Sequence, residues 1–132
     1  MLRIAIISSN MGNYEKGGQV FEDLGNYCSE NQLLKYSAKD HYFKGVICHF
    51  ILSGAGGAAE TMQRYIEKFP AFEGSREQKL LVKLIEEFNK QDEDAFTAVL
   101  RDFDSVSKLD EWLTKHLLIV KKKINEPQED IN

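Results

Sequence analysis

Proline is scarce in this chain: Pro70 and Pro127 are the only two in 132 residues. Alternating β-branched runs are nearly absent as well, so a β-sandwich or barrel, with its period-two strands and frequent turn signals, is excluded. No apolar run exceeds four residues; Leu117-Leu-Ile-Val120 is one of them, far short of the roughly 18 that a membrane-spanning helix requires. The opening stretch Met1 to Ile7 is too short and too soon polar for a signal peptide. There are only two cysteines, Cys28 and Cys48. Both fall in helical patterns, where they read as small buried hydrophobes in a reducing compartment rather than as a disulfide. The chain reads as cytosolic.

Basic charge is in deficit too. The formal net charge is -4 with a pI near 5.4, and no basic strip interleaved with aromatics occurs, which argues against a nucleic-acid partner. What is present is apolar material: 42% hydrophobic residues, with eight Phe, five Tyr and one Trp. That suffices for one buried core in a single domain.

Apolar residues recur at spacings of three and four throughout, which predicts an all-α chain of six or seven helices. The first covers Leu2 to about Ser9 and begins with no capping residue before it, as though mid-element. The second runs from Tyr14 to about Cys28. A third starts near Leu33 or at the capping-box pattern Ser37-Ala-Lys-Asp40 and places Tyr36, Phe43, Ile47, Phe50 and Ile51 on one face. The cluster Gly54-Ala-Gly-Gly57 ends it, and a fourth helix follows from Ala58 to Phe69, closed by Pro70. Ser75-Arg-Glu-Gln78 opens a fifth with Leu80, Leu81, Leu84, Ile85 and Phe88 inward. Asp92 or Asp94 caps a sixth with Phe96, Val99, Leu100 and Phe103, and Ser107 a seventh that runs to about Ile124 with Leu109, Trp112, Leu113, Leu117, Val120 and Ile124 as its stripe, which Leu118 and Ile119 widen. The short connections imply antiparallel neighbours. Gly12 to Leu24 has the look of a tetratricopeptide second helix, in which Gly17 permits close approach. The expected architecture is a tetratricopeptide-like α-solenoid of antiparallel hairpins over residues 1–70, a C-terminal helical bundle over 71–124 and a flexible acidic tail over 125–132.

The sequence offers no catalytic constellation and implies no cofactor. His41, His49 and His116 are scattered without a set of ligands at metal spacing. Cys48 and His49 are neighbours about 100° apart on a helix, which prevents a nucleophile-base dyad. Ser53 to Gly57 lacks the Gly-Lys-Ser/Thr ending of a phosphate loop. Glu86-Glu87 and Asp92-Glu-Asp94 read most simply as a solvated edge. The tail Asn125-Glu-Pro-Gln-Glu-Asp-Ile-Asn132 sets an aliphatic residue beside carboxylates with no core to serve. It is either an incidental exposed isoleucine or a short plug for a basic pocket on a partner.

The stretch Phe103-Asp-Ser-Val-Ser-Lys-Leu-Asp-Glu-Trp-Leu-Thr-Lys-His-Leu-Leu-Ile-Val-Lys-Lys-Lys-Ile124, with an acidic tail ending in a penultimate aliphatic, resembles the end of alpha/beta-type soluble NSF-attachment proteins. Leu33-Leu-Lys-Tyr-Ser-Ala-Lys-Asp40, Cys48-His-Phe50, Phe69-Pro-Ala-Phe72 and Ser75-Arg-Glu77 are similar to internal motifs of that family, in the same order. The resemblance implies a non-enzymatic adaptor in vesicle-mediated transport. Such adaptors coat SNARE complexes of the syntaxin type through a basic face and present their C-terminal ends to NSF, a hexameric AAA ATPase. They associate peripherally with the cytosolic side of membranes through these partners.

Matched by position, the SNARE-binding residues would include Arg3, Lys39 and Arg76. The NSF-binding residues would be Glu86, Glu129, Asp130 and Ile131. Asn89 and Lys90 stand where some relatives carry acids, and Pro127 and Gln128 interrupt the acidic tail. The chain covers a little under half of the family's usual span. The resemblance therefore implies a missing N-terminal part and weakened SNARE grip. It leaves open a second reading, a truncated NSF-binding chain without productive SNARE delivery.

Overall fold

A computed structural model describes residues 1–125. Its helices are α1 (Leu2–Asn10), α2 (Tyr14–Ser29), α3 (Lys35–Lys68), α4 (Arg76–Asn89), α5 (Glu93–Val106) and α6 (Glu111–Lys122), with short 3₁₀ turns at Pro70–Phe72 and Lys123–Asn125. No strand occurs among the described residues. The chain is an all-α solenoid of helical hairpins, as its periodicity predicts.

The third helix is two arms rather than one rod. Gly54 takes φ 78° and ψ -168°, outside helical space. A straight helix would hold Gly45 and Tyr65 about 30 Å apart. Instead the Tyr65 hydroxyl lies 2.8 Å from where a Cβ on Gly45 would stand, so residues 55–68 fold back along residues 35–53. The glycine cluster thus breaks the chain as expected, but Gly54 alone makes the turn. Gly56 and Gly57 are already helical, and the second arm starts ahead of the predicted Ala58.

Ring stacking fixes the arms. Tyr42 and Tyr65 pack with centroids 4.6 Å apart, with Phe69 and Phe72 each 6.0 Å from Tyr42. Glu22 of α2 accepts from Arg64 at 2.7 Å and from the Tyr65 hydroxyl at 3.2 Å. Gly17 does what its sequence context implies: a Cβ there would lie 3.2 Å from Ser9 Cβ and 3.4 Å from the Ala5 carbonyl, so its absence lets α1 and α2 touch.

The remaining helices align on the first arm of α3. Lys39 stands by Glu77 and Phe50 by Phe88, with ring centroids 5.0 Å apart, so α4 runs parallel to that arm. α5 returns across α4. In α6, Trp112 meets Phe21 and His116 meets Tyr14, so α6 runs antiparallel to α2 and ties the last helix to the first hairpin. Of the apolar positions expected inward on α4 and α6, Leu80, Leu81, Leu84, Trp112, Leu117 and Val120 are buried, and so are Phe96 and Leu100 on α5 and Ile124 just past α6. Burying aromatics in edge-on pairs contributes about 0.5–1.5 kcal/mol each beyond their area.

Of the two starts expected for α3 the earlier holds: it begins at Lys35, close to Leu33 and ahead of the Ser37 pattern. Two local expectations are corrected. Tyr36, expected on the inward face, is 82% exposed because it precedes the first packed turn. The last helix is capped by Asp110, whose carboxylate accepts from Leu113 N at 2.7 Å. Ser107 instead terminates α5, and its hydroxyl accepts from the Arg76 guanidinium. Between the two predicted caps for α5, Asp92 is the one used, accepting from Ala95 N at 3.0 Å. No helix among the described residues is long and apolar enough to cross a membrane.

Candidate functional site

Helix α4 carries Arg76 and Glu77 in its first turn and Glu86 and Glu87 near its end. At its start, Ser75 accepts from Gln78 N at 3.1 Å, and Gln78 reaches back to accept from Gly74 N at 3.0 Å, a capping box displaced by one residue. This fixes Arg76 and Glu77 in the first turn. Glu77 is largely buried, and Lys39 stands 3.8 Å from its Oε1. That is too long for a hydrogen bond, and Oε1 has no hydrogen-bond partner. The contact is therefore an ion pair, one that contributes about 0–1 kcal/mol at a half-exposed position. Lys39 thus pairs with Glu77, the chain neighbour of Arg76, whose own guanidinium donates to Ser107. Arg3 is exposed on α1 and shares no hydrogen bond or ion pair with Lys39 or Arg76.

At the other end, Glu86 is exposed in the last turn of α4, beside Glu87. Asp92, Glu93 and Asp94 follow at the start of α5. Ten residues of helix separate Glu86 from Arg76, about 15 Å. The three acids opening α5 suit a helix N-terminus. Glu86 and Glu87 do not suit a C-terminus, because the macrodipole there repels negative charge by roughly 0.3–1 kcal/mol. The last turn itself holds no basic residue, and Lys90 follows it as the C-cap. Glu129, Asp130 and Ile131 lie outside the described residues.

One surface escaped the sequence reading. Lys79 and Lys83 continue from Arg76 at i+3 and i+7, and that helical spacing is the signal that could have revealed them. They edge a cleft of about 280 Å³ between α4 and α5, walled by Leu80, Val99, Phe103 and Val106. Val106 is 72% exposed at its mouth.

The scattered titratable side chains serve packing. Burial pushes the Cys48 thiol up to about 12, so at neutral pH it is a protonated thiol and no nucleophile. Burial likewise lowers His41, His49 and His116, with Lys44, Arg64 and Lys115 respectively adding to the effect. His116 is enclosed, stacked on Trp112 at 4.0 Å, with Nδ1 2.8 Å from the Trp112 carbonyl oxygen. Both cysteines are buried and free.

A family model described as "Soluble NSF attachment protein, SNAP" matches residues 1–125. The beta-soluble NSF attachment protein of Bos taurus is 44% identical over 124 residues, covering 94% of this chain and 41% of that protein. The alpha-soluble NSF attachment protein of Mus musculus is 40% identical, covering 99% and 44%. That of Vitis vinifera is 36% identical, covering 97% and 45%. The chain spans less than half the length of these relatives.

Proposed function

Since this chain belongs to the soluble NSF attachment protein family, we propose that it is an adaptor that joins SNARE complexes of the syntaxin type to the NSF ATPase during vesicle-mediated transport. It does so without catalysis of its own, and its partners hold it at the cytosolic face of membranes. The observation that carries this reading is the layout of α4. Arg76, with Lys39 paired to its neighbour Glu77, stands at one end, and Glu86 stands near the other against the helix dipole. A SNARE bundle is acidic outside, so fixed cations on a rigid face give attraction that tolerates sequence change and weakens with salt. Arg3 extends that face onto α1. Glu86, with Glu129, Asp130 and Ile131, meets the basic surface of NSF, the carboxylates supplying charge and Ile131 an apolar anchor.

Binding of a purified SNARE four-helix bundle, followed across a salt titration, tests the first half. Saturable binding that weakens steeply with salt and drops on Arg76→Glu supports it. Binding unaffected by Arg76→Glu and Lys39→Glu together would refute it. A second reading draws on the chain's length, under half that of its relatives: the chain occupies NSF without delivering SNAREs. In that case NSF binding persists while the SNARE titration is flat.

A further inference from the structure

The cleft between α4 and α5 has two chemistries at once. Its walls are hydrocarbon: Leu80 is buried at the base, Phe103 half-buried, and Val106 open to solvent at the lip. One edge is cationic, because Arg76, Lys79 and Lys83 lie at helical spacing along α4, and the single acid in the lining is Asp102. Three bases against one acid give a local surplus of positive charge on a chain whose net charge is -4. The Arg76 guanidinium is steadied by donating to Ser107 across the end of the cleft. Lys79 and Lys83 are exposed, and their ammonium groups make no hydrogen bond or ion pair.

At about 280 Å³ the space is at the small end of ligand sites, which begin at about 300 Å³. It suits side chains from another protein rather than a cofactor. An apolar floor selects an aliphatic or aromatic anchor, and the one-sided cationic edge selects acids beside that anchor. A nucleic acid would find no aromatic face presented for stacking, since Phe103 is set into the wall.

We infer that the α4–α5 cleft is a docking site for an acidic helical segment of a partner protein. Such a segment seats one aliphatic side chain between Leu80 and Val106 and turns its flanking carboxylates to Lys79 and Lys83. This identification rests on the adaptor reading only for the source of the helix, an acidic SNARE bundle; the chemistry of the cleft stands without it. It adds to that reading an apolar anchor, so that part of the grip survives salt. The orientation follows as well, because the anchor lies on α4 and α5 between Arg76 and the acidic turn that opens α5.

The test uses the whole chain and two synthetic helical peptides, each rich in Glu and Asp, one with a single central leucine and the other with glutamine in its place. Nuclear magnetic resonance titration should show saturable shifts at Leu80, Val99 and Val106 methyls with the leucine peptide, and about tenfold weaker binding of the glutamine peptide, as expected for loss of one buried aliphatic side chain. Lys79→Glu with Lys83→Glu should abolish binding of both. Val106→Ser should remove most of the preference for leucine, and because Val106 is exposed the fold is retained. Equal affinity for the two peptides, or shifts confined to residues outside the cleft, overturns the inference.

SNARE-bundle binding by the same variants separates the two readings. Binding that responds to Arg76→Glu but not to the Lys79, Lys83 and Val106 variants keeps the adaptor function and rejects the cleft. Leucine-dependent peptide binding without SNARE-bundle binding keeps the cleft and rejects the adaptor function.

Discussion

Trp112 donates its indole N–H to the Ser9 hydroxyl at 2.8 Å, a buried hydrogen bond between residues 103 positions apart. The Ser9 hydroxyl in turn donates to the Ala5 carbonyl at 2.8 Å, so the last helix is fastened to the backbone of the first through one hydroxyl. Tryptophan is used once in the chain, and it is used here. Loss of this bond on Trp112→Phe should destabilise the fold by about 1–3 kcal/mol, since the smaller ring also gives up part of the contact with Phe21 and His116. Urea denaturation measures the change. A loss well under 0.5 kcal/mol would mean that α6 is held by its stripe alone.

Close approach at Gly25 has a calculable consequence. A Cβ there would stand 2.5 Å from the Tyr42 ring, and that ring cannot retreat, being packed on Tyr65, Phe69 and Phe72. Gly25→Ala should therefore cost about 1–3 kcal/mol. Gly56, helical and with nothing within 4 Å of its Cβ position, should respond in the opposite sense, Gly56→Ala stabilising by up to about 1 kcal/mol. Thermal unfolding of the pair checks both signs.

Acid should loosen the fold through its histidines. His41, His49 and His116 are all lowered by burial, so between their folded values and the unfolded value near 6.5 the unfolded chain binds more protons. Stability from these groups is complete above about pH 6.5 and is lost as pH falls below it. The melting temperature should be flat from pH 8 to 7 and decline below 6.5. His116→Phe, which retains a ring on Trp112, should flatten the decline. A melting temperature that rises on acidification would contradict the assignment.

Charge reversal at Glu86 should separate stability from function. Glu86→Lys places a cation at the α4 C-terminus and should stabilise the helix by roughly 0.3–1 kcal/mol. NSF binding should nevertheless fall, with SNARE binding unchanged. Calorimetry alongside a pull-down with purified NSF reads both.

The helices were legible because they follow from spacing: the α4 stripe from Leu80 to Phe88 and the Asp92 cap rest on residues within four positions of each other. Errors arose where the deciding contact is distant. Ser107 and Asp110 are equally good caps by local chemistry, but the Ser107 oxygen is taken by Arg76, 31 positions back. The Asp104 carboxylate meanwhile holds Leu109 N at 2.8 Å. Among Gly54, Gly56 and Gly57 nothing local shows which one reverses the chain. At the candidate site, family resemblance supplied Arg3, Lys39, Arg76 and Glu86. The cleft beside Arg76 stayed hidden because half of its wall comes from α5, and only folding sets Val106 opposite Lys79.

The most direct measurement of the adaptor role is ATP hydrolysis by purified NSF with this chain immobilised on a surface, compared with the Ile131→Ala variant. The account predicts stimulation by the natural chain and its loss in the variant, with both chains equally helical by circular dichroism. Equal hydrolysis with the natural chain, the variant and a bare surface would contradict it.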